Sequence, residues 1–284
     1  MVINLDSVGL SGEVMRKEWT EKDTILYALA VGAGVADLDL TTENTAGVDL
    51  QAVSTFAAVI AGGAGALRER IGSWPGGMVV HGTQLVEFVT PLPASGEIDV
   101  VARVAAIEDK GSGALIEIES TATDPQSHAE LFRSTTGLFV RGEGGFGGGG
   151  TAARGLASFR GLETAADFTA DFATGPNQAL LYRLCGDRNP LHSDPRFAAK
   201  AGFDRPILHG LCTWGIAARL LSALVDGDMS AISHFGGRFT AVVFPGDTVS
   251  VDAWRTAPDH FAFVVRVGDR VVIDSGSMGV RERD

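Results

Sequence analysis

The chain has 284 residues, 45% hydrophobic and 20% charged, the composition of a globular protein with a core rather than of a disordered segment. Its 35 acidic residues outnumber 23 basic ones, for a formal net charge of -12, which excludes the broad basic face of a general nucleic-acid binder but not a local basic pocket for one phosphorylated ligand. The two cysteines, Cys185 and Cys212, have no CxxC or metal-ligand spacing and read as reduced thiols.

The N-terminus, MVINLDSVGLSGE, has neither a basic region nor a continuous apolar stretch, so no secretory leader is expected. The longest apolar run, TFAAVIAGGAGAL, is shorter than a membrane span, and the C-terminal RERD matches no sorting or lipidation signal. A cytoplasmic protein with no membrane partner is the expectation.

In chain order, TEKDTILYALAVGAG from Thr20 reads as a helix, and AVSTFAAVIAGGAGALRER from Ala52 as a second, apolar helix. The segments EIDVVARVAAI and ALIEIESTAT alternate as half-buried antiparallel strands do. Residues 141–150, RGEGGFGGGG, read as a flexible linker. No helix pattern follows these glycines, which sets aside a dinucleotide-binding loop.

Beyond the linker the plan repeats. GPNQALLYRLCGDRN is followed by an apolar helix, LHGLCTWGIAARLLSAL, and then by the alternating strands TVSVDAWRT, FAFVVRV and RVVIDSGSMGV. Both halves carry Leu-Tyr-x-Leu, at Tyr27 and at Tyr182. Both carry a Phe before a Pro/Gly turn and a strand, at Phe88 and at Phe239. The order and spacing indicate an internal duplication. The expected architecture is α+β, with domains at 1–150 and 151–284, each an antiparallel sheet curled around one long apolar helix.

The halves differ where the first has AVGAG, from Ala30, and the second has CGDRN, followed by PLHSD. Gly186 and Pro190 break any helix, so a tight loop carries Asp187, Asn189 and His192. Such a set suits proton transfer, because histidine titrates near neutral pH and a carboxylate can be tuned towards it. Asp and Asn are also ordinary capping residues, and both readings stand on spacing alone. The first half keeps Leu-Tyr-x-Leu without the Asp, Asn and His, so the helix there does not require them. Gly210 opens a long apolar helix, where unpaired backbone N–H groups suit a developing oxyanion or mark only a helix start. His209, with His192 and Asp187, offers three metal-ligand types but no close-spaced pair, so no metal is expected.

The stretch YRLCGDRNPLHSDPRFAAKAGF (Tyr182 to Phe203), then PILHGL, then RFTAVVFPGDT, resembles the MaoC-like hydratase family, and within it the two-part hydratase 2 enzymes. VVHGTQLVEFVTPLP and IEDKGSG resemble that family's N-terminal half. The resemblance implies a double hot-dog fold and addition of water to a trans-2-enoyl-CoA, giving the (3R)-3-hydroxyacyl-CoA. It implies Asp187 and His192 as the catalytic pair, Asn189 positioning the water, and the Gly210 amide on the thioester oxygen. His81, Gly82, Lys110, Arg188, Pro190, Leu191 and Phe239 fall at positions that line the substrate and CoA channel. One active site per chain is expected, with coenzyme A as part of the substrate, no separate cofactor, and a homodimer. The acyl group is left open among fatty, polyester-precursor and steroid side chains. The small residues of GGAGAL, at 62–67, leave room for a bulky one. A hydroxyacyl-ACP dehydratase or a thioesterase on the same fold is the nearest alternative, and a non-catalytic acyl-CoA-binding module the alternative of another class.

Overall fold

The computed structural model describes residues 3–62, 64–74, 78–147 and 156–281, the side chains of 64–66 excepted. The first half contributes β1 (Met15–Trp19), α1 (Glu21–Ala30), α2 (Leu38–Thr41), α3 (Phe56–Ile60), α4 (Ala64–Ile71), β2 (Val79–Phe88), β3 (Gly96–Asp109), β4 (Gly113–Thr123) and β5 (Glu130–Arg141). The second contributes β6 (Phe168–Ala173), α5 (Gln178–Tyr182), α6 (Pro195–Lys200), α7 (Gly210–Leu221), β7 (Ile232–Phe239), β8 (Thr248–Ala257), β9 (His260–Val267) and β10 (Arg270–Val280).

The strands form one ten-stranded sheet in the order β1-β3-β4-β5-β2-β7-β10-β9-β8-β6. Exchanging each strand with the one five places away reverses this order, so each half is a hot-dog unit of the same topology. Every pairing is antiparallel. The halves are continuous rather than two separate sheets: β2 pairs with β7 from Thr83↔Arg238 to Glu87↔His234. Phe88 and Phe239 end these two central strands at equivalent places.

α7 is apolar on nearly every face and is accordingly buried on nearly every face, from Cys212 to Ala218 and at Leu221. Gly215 lets α1 come close, because a methyl there would lie 2.5 Å from Val31 Cγ1 and 2.7 Å from Tyr27 Oη. α1 begins where the Asp23 carboxylate accepts the Thr20 N–H at 2.9 Å, a side-chain cap for the first turn. The rings of Tyr27 and Tyr182, the two Leu-Tyr-x-Leu tyrosines, lie 5.9 Å apart in the shared core.

The long central helix expected in the first half is not continuous. It is split into α3 and α4, and the physical reason is the Gly62-Gly63 pair, whose helix propensity is low. α4 lies against the first-half sheet, with Leu67 and Ile71 packed in a second core beside Val104, Ile107 and Ile116. Gly63 and the side chains of residues 64–66 lie outside the described residues, so the space proposed around GGAGAL is not defined there. The domain boundary expected at residue 150 also falls outside them. The first part of the glycine-rich connection is tied down: the Asp109 carboxylate accepts the N–H groups of Gly145 and Gly147, each at 2.8 Å. Both cysteines are free thiols, Cys212 buried and Cys185 partly so. Among the described residues no helix is long and apolar enough to cross a membrane.

Candidate active site

α5 ends at Tyr182, a 3-10 turn carries the chain to Cys185, and Gly186 turns it at φ 137°, a conformation that L side chains rarely adopt. The loop then knots itself. Asp187 Oδ1 accepts the Asn189 N–H at 3.0 Å, and Asn189 Oδ1 accepts the Leu191 N–H at 3.1 Å. The capping role of Asp187 and Asn189 is therefore real, and it leaves the second carboxylate oxygen of Asp187 outside that bond. Pro190 starts a 3-10 turn that ends at His192, and Asp194 caps α6 through the Arg196 N–H.

His192 is buried at 8% exposure. Its Nδ1 lies 2.9 Å from the Ile207 carbonyl, and a carbonyl can only accept, so Nδ1 carries the proton and Nε2 keeps a free lone pair. Burial pulls the His192 imidazole below its usual pKa, against the opposing pull of the Ile207 carbonyl and Asp187. A neutral imidazole with an unprotonated Nε2 is the form a general base needs.

His209, which the sequence singled out only as a metal candidate, sits beneath this loop at 1% exposure. Its Nε2 donates to the Asp187 carbonyl at 3.2 Å, and its ring stacks on His192 with centroids 3.7 Å apart and planes 25° apart. Burial, reinforced by His192, lowers its pKa to about 4, so it too is neutral at pH 7. Metal-bound imidazole nitrogens lie about 2.0–2.1 Å from the ion along lone pairs in the ring plane. Two rings stacked 3.7 Å apart cannot aim both lone pairs at one ion, so although ligand atoms of Asp187, His192 and His209 lie within 4.8 Å of one another, the set does not fit a metal.

His209 is also the N-cap of α7, which makes Gly210 the first residue of that helix. The Gly210 N–H has no partner among the described residues, as the first amides of a helix do not. A Cβ at 210 would lie 3.2 Å from Phe239 Cδ1. Phe239 in turn meets the edge of His81, with ring centroids 4.9 Å apart. His81 Nε2 faces two acceptors, the Thr83 carbonyl at 3.1 Å and Gln84 Oε1 at 3.0 Å. The Gln84 amide is oriented by Ser134 and Thr136, so His81 Nε2 is the donor and Nδ1 the acceptor. Burial lowers the His81 pKa to about 4. The pairing of β2 with β5 shifts register between His81 and Thr83, placing Gly82 at a bulge, a device that re-aims a neighbouring side chain.

One cavity of about 670 Å³ joins these groups, a size typical of small-molecule sites. Asp187, Asn189, Pro190, Leu191, His192 and Gly210 line it, as do His81 and Phe239 from the two central strands. Gly82, Lys110 and Arg188 are not among its lining residues. Gly82 acts through its bulge, and a Cβ there would face the Gly137 carbonyl at 3.2 Å. Lys110 stands on the β3–β4 turn, paired with Glu108, and Arg188 is exposed. The cavity continues into the first half between α4, β2, β4 and β5, where Ile71, Trp74, Val79, Ile116 and Leu138 form its walls. Sequence reasoning missed that arm, because no local pattern distinguishes a wall residue from a core residue.

Comparison with known proteins identifies the family. Residues 159–276 match the family described as MaoC like domain, and residues 18–142 match the MFE-2 hydratase 2 N-terminal domain. The chain is 43% identical to the Mycobacterium tuberculosis 3-hydroxyacyl-thioester dehydratase Y, over 98% of both chains. It is 40% identical to the enoyl-CoA hydratase ChsH3 of the same organism, over 97% of this chain and 98% of that one. The crystal structure of a MaoC-like dehydratase from Phytophthora capsici superimposes with a TM-score of 0.87 at 27% identity, covering 99% of this chain and 98% of the other. With a hydratase 2 N-terminal half joined to a MaoC-like second half that carries the Asp187–His192 loop, this chain belongs to the two-part members of the MaoC-like dehydratase family.

Proposed function

We propose that this protein adds water to trans-2-enoyl-CoA thioesters, giving (3R)-3-hydroxyacyl-CoA, and runs the reverse dehydration at the same site. The observation that carries the reading is a buried, neutral His192 with a free Nε2, lining one cavity with Asp187 and with the unpaired amide of Gly210.

The thioester carbonyl rests on the Gly210 N–H. Asp187 and His192 hold one water, with Asn189 bracing the loop beside it. His192 Nε2 removes a proton from the water as its oxygen bonds to C3. The C2–C3 π electrons move to the carbonyl oxygen, and the enolate is stabilised at the Gly210 amide. The imidazolium passes its proton to the Asp187 carboxylate, and as the enolate collapses the acid so formed gives that proton to C2. The net change is one H and one OH from one water, with no electron transfer. The chemistry calls for no resident cofactor, because coenzyme A arrives with the substrate. The dehydratase and hydratase names of the curated relatives favour this reaction over thioester hydrolysis. The reading extends to a homodimer working in the cytoplasm, and light scattering of the eluted protein checks the dimer.

The test is incubation with a trans-2-enoyl-CoA, following loss of the conjugated thioester absorbance, with chiral analysis of the product. The (3R)-3-hydroxyacyl-CoA without free thiol supports the reading. Release of free thiol, or tight binding with no turnover, rejects it in favour of a thioesterase or a binding module.

A further inference from the structure

The first-half arm of the cavity carries polar groups as well as apolar walls. Apart from its apolar walls it presents Arg68 from α4, Trp74 just beyond α4, and Arg141 from the end of β5. Among the described residues the one acidic side chain lining the cavity is Asp187, on the catalytic loop. In a chain with 35 acidic residues, neither Arg68 nor Arg141 makes an ion pair among the described residues. Arg68 is held in place instead: its Nη2 donates to the Trp74 carbonyl at 3.3 Å, and its guanidinium lies 5.6 Å from the indole centroid. Trp74 is 6% exposed, yet its indole N–H is buried without a partner among the described residues. Leaving such a donor unsatisfied costs about 1–3 kcal/mol, so it calls for an acceptor.

The position of this cluster follows from β-sheet geometry. The Arg141 N–H bonds to the Met78 carbonyl at 2.9 Å, three residues before His81. At about 3.3 Å per residue that is roughly 10 Å along the chain from His81, whose ring meets the Phe239 that covers Gly210. A ligand that reaches from the catalytic loop through the apolar arm therefore meets the two cations Arg68 and Arg141 beside Trp74.

We propose that Arg68, Arg141 and Trp74 form a subsite for an oxygen anion carried by the substrate. This rests on the enoyl-thioester reading of the same cavity. The matching chemistry is a carboxylate or phosphate oxygen: guanidinium forks bind both in pairs of hydrogen bonds, and Trp74 holds the Arg68 fork in place. Two parts of an acyl-CoA can supply it, an oxygenated far end of the acyl group or the phosphates of the coenzyme.

Calorimetric binding of saturated acyl-CoA ligands tests the subsite without relying on turnover. The proteins are the wild type, R68Q/R141Q and R68K/R141K, each checked for unchanged circular dichroism. The ligands are an alkyl acyl-CoA and the acyl-CoA of equal length ending in a carboxylate. A tenfold or greater loss in R68Q/R141Q for the carboxylate ligand alone, largely restored in R68K/R141K, supports the subsite and assigns it to the acyl end. The same loss for both ligands, again restored by lysine, supports it and assigns it to the coenzyme phosphates. Unchanged affinity for both ligands, or a loss that lysine does not restore, overturns the proposal. Wild-type turnover of the corresponding alkyl enoyl-CoA, measured alongside, reports separately on the hydratase reading.

Discussion

Substituting Gly210 by alanine probes the oxyanion contact with the smallest possible change. The new Cβ would lie 3.2 Å from Cδ1 and 3.3 Å from Cε1 of Phe239, so the ring must retreat by a few tenths of an ångström. Phe239 is only partly buried and meets His81 edge-on, so the fold can absorb that displacement. The catalytic consequence is larger, because the methyl is added at the residue whose amide is assigned to the thioester oxygen. Losing one oxyanion donor typically costs 10²–10³-fold in kcat, and a donor that is hindered but retained is expected at the low end, about 10²-fold. That corresponds to about 2.7 kcal/mol of transition-state stabilisation. The assay is steady-state hydration of a short trans-2-enoyl-CoA, with thermal unfolding measured alongside. A kcat close to wild type in a folded G210A protein would refute the placement of the thioester oxygen on this amide.

Further outcomes follow from the same coordinates. His81 and His209 have folded pKa values of about 4, below the unfolded value of about 6.5. Their contribution to stability is therefore full above pH 6.5 and is lost as pH falls towards 4, with uptake of about one proton each on unfolding. Asp99, Asp109 and Asp124, all held below their usual values, titrate beneath that window. A Tm that stays level from pH 7 to pH 5 contradicts the burial of both imidazoles as neutral groups. Acid should also reduce kcat/KM only below about pH 6.5, because burial lowers the His192 pKa. His209→Phe keeps a ring against His192 but loses the bond to the Asp187 carbonyl, and His209→Gln does the reverse; kcat should fall about tenfold in one of them with KM unchanged, a loss of the size of one hydrogen bond. Wild-type kcat in both removes His209 from the positioning of the loop. Gly215→Ala puts a methyl 2.5 Å from Val31 and should cost about 1–3 kcal/mol, read as a lowered Tm; an unchanged Tm means that α1 and α7 are not held at this separation.

The sequence made the motif legible because a broken pattern stands out. CGDRNPLHSD places polar residues and a proline between two apolar helices, and the equivalent AVGAG does without them. The structure brings Asp187, His192 and Gly210 to one cavity, and it also shows the turn-forming bonds of Asp187 and Asn189 that the plainer reading anticipated. The internal duplication was legible in the same way, from Tyr27 with Tyr182 and Phe88 with Phe239, whereas the joining of the two halves into one continuous sheet was not. Other features depend on distances that no local pattern encodes. The split between α3 and α4 is one, because helix propensity alone does not say which small residues of an apolar run will end a helix. The stacking of His209 on His192 joins residues 17 apart in sequence through a loop that folds back. The family resemblance put Lys110 in the channel, yet the structure pairs it with Glu108 outside the cavity lining. Arg68, Trp74 and Arg141 come from separate elements and meet only in the folded sheet.

The central claim is that Asp187 and His192 move the protons of one water. Hydration of crotonyl-CoA by Asp187→Asn and by His192→Ala tests it most directly, with folding verified by circular dichroism. The account predicts that each variant keeps its KM within a small factor and loses roughly 10²–10⁴-fold in kcat. Near-wild-type hydration by either folded variant would contradict it.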